Sequence, residues 1–168
     1  MPTIHQQRQG YVIRSLIKEE MPLLGDFLYE AIFIPEGVEP PAKEIVNRPE
    51  LRVYTDYFGS RKGDNCLVAE VDGKVVGAVW TRIMDDYGHV DNETPSFAIS
   101  LYKEFRSMGI GTQLMQRMLE LLKEQGYKQA SLAVQKANRA VNLYLNVGFK
   151  TIKETSDEFI MVYNFYKK

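Results

Sequence analysis

The chain has 168 residues, 45% hydrophobic and 26% charged, a balance that suits one soluble domain over residues 1–168 and leaves no room for two ordinary ones. Its 21 Lys and Arg meet 22 Asp and Glu for a net charge of -1, which excludes a nucleic-acid binder held by a broad basic surface. No apolar run approaches the ~18 residues of a membrane span, and Met1-Pro2-Thr3-Ile4-His5-Gln6-Gln7 has no apolar leader core, so no membrane partner is expected.

Tyr11-Val12-Ile13-Arg14 reads as a first strand. Residues 18–34 place Leu24, Phe27, Leu28, Ala31 and Ile32 at a helical period, with Pro22 tolerated in the first turn. Pro35-Glu36-Gly37-Val38-Glu39-Pro40-Pro41 breaks that helix, and residues 49–57 look like a second, shorter one. Residues 66–71 and 75–82 alternate as strands around Asp72-Gly73, a pair that suits a tight hairpin because glycine accepts positive φ. The only cysteine, Cys66, lies in the first of these; it reads as a core thiol and points to a reducing, cytoplasmic compartment. A strand at 96–102 follows.

Residues 110–125 carry Ile110, Leu114, Met118 and Leu121 at three- and four-residue spacing, with Gly126 as the stop. A strand at 130–134, a helix at 139–146 stopped by Gly148, and strands at 151–152 and 159–166 complete the chain. The order β-α-α-β-β-β-α-β-α-β-β predicts an α/β fold, a mixed sheet with helices on both faces. The helix between strands 96–102 and 130–134 makes that pair a parallel crossover.

Chemistry concentrates where Ile99-Ser100-Leu101-Tyr102-Lys103-Glu104-Phe105 runs into Arg106-Ser107-Met108-Gly109-Ile110-Gly111-Thr112. A helix start leaves backbone N–H groups unpaired at the positive end of its dipole, a site for phosphate. Gly109 and Gly111 remove side chains that would hold a pyrophosphate away, Thr112 adds a hydroxyl and Arg106 a charged donor. A tight turn with a helix cap would show the same Gly-x-Gly. The phosphate loop of nucleotide hydrolases is excluded because no Lys follows Gly111, and the dinucleotide fingerprint because position 114 is Leu rather than a third glycine.

A second segment, Asn138-Arg139-Ala140-Val141-Asn142-Leu143-Tyr144-Leu145-Asn146-Val147-Gly148-Phe149, opens on a helix-capping Asn and closes on Gly-Phe. Together, Arg-x-x-Gly-Ile-Gly and Asn-x-x-Ala…Tyr…Gly-Phe closely resemble the two signature segments of the GNAT N-acetyltransferase superfamily. The element order matches along nearly the whole chain. The resemblance implies a mostly antiparallel sheet of about seven strands with a parallel, splayed centre, flanked by about four helices. It implies acetyl-CoA as cosubstrate and no metal, with the backbone of Ile99 and Leu101 and the side of Asn138 along the pantetheine arm. The amides of Arg106, Ser107, Met108, Gly109, Ile110, Gly111 and Thr112 would hold the pyrophosphate.

Tyr144 stands where many members protonate the departing thiolate; a core aromatic on the face of Ala140 and Val147 is the alternative. Members often carry a basic Glu on the strand before the loop, but here Thr94-Pro95 is followed by Ser96, and Glu93, Asp91 or a water chain would have to substitute. The acidic stretch Asp85, Asp86, Asp91, Glu93 suits either a cationic acceptor or a solvated loop. His89 has no second ligand near it and reads as a surface or hydrogen-bonding residue. Tyr54, Tyr57 and Phe58 are either helix packing or the wall of an acceptor pocket. The expected partner is a small-molecule or peptide amine, with a homodimer the common assembly in the family. Rival readings are a non-catalytic acyl-CoA-binding or sensing module, motivated by the missing Glu at 96, and transfer from a longer acyl donor.

Overall fold

A computed structural model of the chain describes residues 10–166; the segment Met1 to Gln7, read above for a leader, lies outside them. Strand β1 is Val12–Ser15, β2 Asn65–Val71 and β3 Lys74–Arg82. Asp72 (φ 49°) and Gly73 (φ 79°) both turn left-handed to join β2 to β3, the geometry a two-residue hairpin needs. Strand β4 is Ser96–Leu101, β5 Gln129–Gln135, β6 Lys150–Glu154 and β7 Glu158–Asn164. They form one seven-stranded sheet, ordered β1-β2-β3-β4-β5-β7-β6. Every neighbouring pair is antiparallel except β4 and β5, the crossover pair expected from the sequence.

Successive residues of β2 and β3 point to opposite faces, and each face carries its own core. Helices α3 (Ile110–Glu124) and α4 (Ala140–Val147) cover one of them. There Leu67, Val79, Leu114, Met115, Met118, Leu122, Tyr144 and Phe149 are buried together. The ring of Phe149 sits edge-on to Phe97 at 5.7 Å and beside Tyr163 at 5.6 Å. Helix α1 (Leu23–Ala31) covers the other face, burying Leu24, Phe27 and Leu28 against Cys66, Val68, Ala78 and Trp80.

The elements differ from expectation mainly before β2. The predicted helix over 18–34 becomes a 3-10 turn, Lys18–Glu20, followed by α1, and Ile32 is already extended ahead of Pro35. The predicted helix over 49–57 shortens to α2, Pro49–Arg52. The reason lies 29 and 26 residues further along, at one side chain. Arg82 at the end of β3 is wholly buried, and its guanidinium draws in the carbonyl oxygens of Val53 and Asp56. Its other edge grips Asp64 bidentately, 2.9 Å at both contacts, and Phe58 lies 5.3 Å beneath it. Asp64 also accepts from the amides of Gly59 and Arg61. The guanidinium competes with the helical amides for these carbonyls and turns them toward β3.

Removing one partner of such a pair strands a buried charge, at a cost of about 3–5 kcal/mol. Asp64→Ala should therefore lower the urea midpoint by the equivalent of several kcal/mol. A loss under about 1 kcal/mol, the range of an exposed pair, would contradict this account.

Candidate active site

Strands β4 and β5 meet at a single register pair, Ser96 with Ser131, where the Ser131 amide donates to the Pro95 carbonyl at 2.9 Å. Beyond it no further pair joins them, and the strands part. On its other edge β4 follows β3, and Tyr102 donates to Val76 just past the ladder's end at 2.9 Å. Alternation along an antiparallel ladder turns the backbone groups of Phe97, Ile99 and Leu101 the opposite way; the bridge to Ser131 engages the Phe97 amide, and those of Ile99 and Leu101 face the gap. Ile99 and Leu101 thus present peptide groups to the cleft. The Leu101 carbonyl is already occupied by Arg106 Nε at 3.0 Å.

The chain after β4 makes a 3-10 turn, Lys103–Phe105, and enters α3 through the glycine loop. Ser107 (φ 63°) and Gly109 (φ 87°) both adopt left-handed backbone, which curls successive N–H groups toward one point. Gln113 is the first residue to donate back, to the Gly109 carbonyl at 3.2 Å. Among the described residues, no hydrogen-bond acceptor takes the amides of Ser107, Met108, Gly109, Ile110, Gly111 or Thr112. A Cβ at Gly111 would stand 3.6 Å from Leu101 and Leu143, so the protein's own packing leaves room for one there. Arg106 is placed differently from the expected phosphate donor. Its amide donates to Lys103 and its guanidinium spans from Leu101 to Glu30 Oε2, 3.2 Å away on α1.

Across the gap, Asn138 Oδ1 accepts the Ala140 amide at 2.9 Å and so caps α4. Tyr144 is 8% exposed, its ring 6.2 Å from Phe149. Burial pushes its phenol up to about 12, so the hydroxyl stays protonated. The Tyr144 ring belongs to the α3–α4 core, as does Phe97.

Ser96, Ala98 and Ser100 alternate with Phe97 and face α1; the Ser100 hydroxyl donates to the Phe27 carbonyl at 2.6 Å. On this face the loop over 83–95 folds over the point where β4 and β5 part. Ser131 Oγ donates to the Gly88 carbonyl at 2.7 Å, and a Cβ at Gly88 would lie 3.0 Å from the Ala133 nitrogen, so any larger residue would press on the β5 backbone. His89 Nδ1 lies 2.8 Å from the Met84 carbonyl and steadies the loop. Of the four acidic residues read from the sequence, Asp86 alone turns inward: Ser96 Oγ donates to its Oδ1 at 2.9 Å. Burial raises its carboxyl above the usual range, partly offset by the hydroxyls of Ser96 and Tyr54. Glu93 is exposed; its amide donates to Asp91 Oδ1 at 2.8 Å and its carboxylate has no partner among the described residues. Tyr57 is 85% exposed, Phe58 lies under Arg82, and Tyr54 packs with the α1 core beside Asp86.

Comparison with known proteins finds the family model described as Acetyltransferase (GNAT) family over residues 29–149. A protein named probable N-acetyltransferase camello, from Xenopus tropicalis, is 38% identical over 111 residues, 65% of this chain and 48% of that one. An N-alpha-acetyltransferase of Sulfurisphaera tokodaii is 35% identical over 96 residues, 52% of this chain and 57% of its own length. The chain thus spans about half the length of these curated relatives. The solved PaiA N-acetyltransferase of Thermoplasma acidophilum, in complex with coenzyme A, shares the fold with a TM-score of 0.69 at 19% identity, over 92% of this chain and 99% of that one.

Unpaired, converging amides should take an anion without help from the rest of a ligand. Titration with inorganic pyrophosphate should shift the NMR amide signals of Ser107 to Thr112 and leave that of Arg106 nearly still. Shifts spread over surface lysines alone would contradict the loop's assignment.

Proposed function

The chain belongs to the acetyltransferase (GNAT) family, and from that premise we propose that it transfers the acetyl group of acetyl-CoA to a primary amine of a small molecule or peptide. The observation that carries this reading is the opening between β4 and β5, lined by the backbone of Ile99 and Leu101 and ending at six free amides. The pyrophosphate would rest on Ser107 to Thr112 and the pantetheine arm would run down the gap beside Asn138. At about 3.3 Å per residue, Leu101 to Phe97 spans roughly 13 Å, about the reach of such an arm.

Amine attack on the thioester creates an oxyanion and then a thiolate. Unpaired backbone N–H groups along β4 are donors for the first, and Tyr144 is the neutral O–H donor for the second. Its burial makes it a weaker acid, but a thiolate leaving into the same apolar surroundings becomes a stronger base, so the pair stays matched. The acceptor would enter from the α1 face. An open cleft on that face beside Tyr102, at the opposite end of β4 from Ser96, is lined by Asp26, Glu30 and Glu44 against a single Lys43, a balance that suits a cationic group. The single cysteine, Cys66, buried and with its thiol pushed up to about 12, is inert and suits work in the reducing cytoplasm.

Tyr144→Phe should lower kcat about 10²-fold and leave the acetyl-CoA Kd within about twofold. In the parent protein the raised phenol keeps its proton below its pKa, so kcat should not decline up to about pH 10.5 through loss of this donor. A parent protein that binds no acetyl-CoA in calorimetry would overturn the proposal. Unchanged turnover in Tyr144→Phe would remove Tyr144 from it.

A further inference from the structure

We propose that the Asp86 carboxylate is the general base of this site, taking the proton of the attacking amine from the α1 face while Tyr144 serves the departing sulfur from the other. This rests on the acetyl-transfer reading above.

Three independent observations place Asp86 at the reacting centre. The loop that carries it is packed onto both strands where they part: Asp86 on β4 through Ser96, and Gly88 on β5 through Ser131 and the backbone at Ala133. An arm that starts at the glycine loop and follows β4 down the gap delivers its thioester near Phe97, next to Ser96. The faces are also complementary. Phe97 and Tyr144 share the α3–α4 core, and Ser96, one residue along the strand, points to the α1 side. An amine approaching from one side and a thiolate leaving on the other meet Asp86 and Tyr144 respectively. Finally, Asp86 is half-buried and not sealed, so its carboxylate can still reach a ligand.

The groups around it fit the role. Ser96 and Tyr54 present hydroxyls, and the Gly88 amide bears on the same carboxyl. Tyr87 and Glu158 lie close enough to Tyr54 to disfavour its ionisation, as Asp86 does. Burial raises its basicity. A more basic carboxylate is a better proton acceptor near neutrality. Position 96, where a strand glutamate would otherwise lie, holds a serine whose hydroxyl binds a carboxylate supplied from the loop.

In the reaction the amine nitrogen forms the C–N bond at the thioester carbon while the carbonyl π pair moves to oxygen. The ammonium proton passes to an Asp86 oxygen. The oxyanion then collapses, the C–S bond breaks with its electron pair on sulfur, and sulfur gains a proton by way of the Tyr144 hydroxyl. Asp86 returns its proton to solvent and Tyr144 recovers one, so the net change is one acetyl group moved and one proton exchanged for it.

Asp86→Asn keeps the Oδ1 acceptor that Ser96 needs and removes the base, so the fold should persist; circular dichroism and the acetyl-CoA Kd, both unchanged, would verify that. Acetyl transfer would be followed with two small acceptors, strongly basic propylamine and weakly basic glycinamide, in the parent, Asp86→Asn and Glu93→Gln. The expected result is a kcat loss of about 10²-fold or more for Asp86→Asn with propylamine, a clearly smaller loss with glycinamide, and near-parent rates for Glu93→Gln. A structural role for Asp86 would cut both amines equally. That outcome overturns the proposal, as would an Asp86→Asn rate within threefold of the parent, a loss confined to Glu93→Gln, or acetyl-CoA binding with transfer to neither amine. A parent protein that binds no acetyl-CoA would instead remove the acetyl-transfer reading itself.

Discussion

Two parallel strands that lie side by side in a sheet are expected to exchange hydrogen bonds along their length, and β4 and β5 do so at one position only. The consequence is a pair of peptide groups on β4, at Ile99 and Leu101, turned toward a strand that has moved away. Unpaired backbone groups in a protein interior are costly, on the order of 1–3 kcal/mol each, unless water or a ligand reaches them. The gap is held open from both ends. Glycine at 88 lets a loop pack over the apex, and Gly77 lets the Leu101 side chain lie across β3, where a Cβ would collide with it. Arg106 then spans from the Leu101 carbonyl to Glu30 and fixes the strand's end against α1.

Because the gap passes through the sheet, it connects two chemically different faces. The α3–α4 side is apolar and aromatic, and it keeps Tyr144 neutral. The α1 side carries the hydroxyls of Ser96, Ser100 and Tyr54, the Asp86 carboxyl, and an acidic cleft beyond Tyr102. The buried Arg82–Asp64 pair belongs to this second face. By drawing in the carbonyls of Val53 and Asp56 it sets the path of residues 53–64, and with them Tyr54, over the strands. A charge pair placed at the end of β3 thereby shapes the surroundings of a carboxylate on the next loop.

Much of this was legible in the sequence because it is local. The helical stripe of Ile110, Leu114 and Met118, the Asp72-Gly73 turn, and the strand–glycine–helix passage into α3 are each encoded within about a dozen residues, and the structure has them where the pattern put them. Asn138 caps its helix as its residue type suggests. What could not be read depends on distant partners. The helix expected over 49–57 yields to a guanidinium on β3, which no periodicity reveals. The contact of the Arg106 guanidinium with Glu30 joins residues 76 positions apart, beyond the reach of any local pattern. Among Asp85, Asp86, Asp91 and Glu93, nothing local separates the inward carboxylate from the three solvated ones. The signal that could have done so is Ser96, a buried strand hydroxyl needing an acceptor, together with Gly88, a glycine in no turn that requires one.

The central claim is that the opening between β4 and β5 is the binding cleft for the cosubstrate. Hydrogen–deuterium exchange resolved to single amides, with and without saturating acetyl-CoA, tests it most directly. The account predicts protection of Ile99 and Leu101 together with Ser107 to Thr112, and little change along β1, β2 and β6. Protection that leaves the two β4 amides untouched, or that falls elsewhere on the sheet, would contradict it.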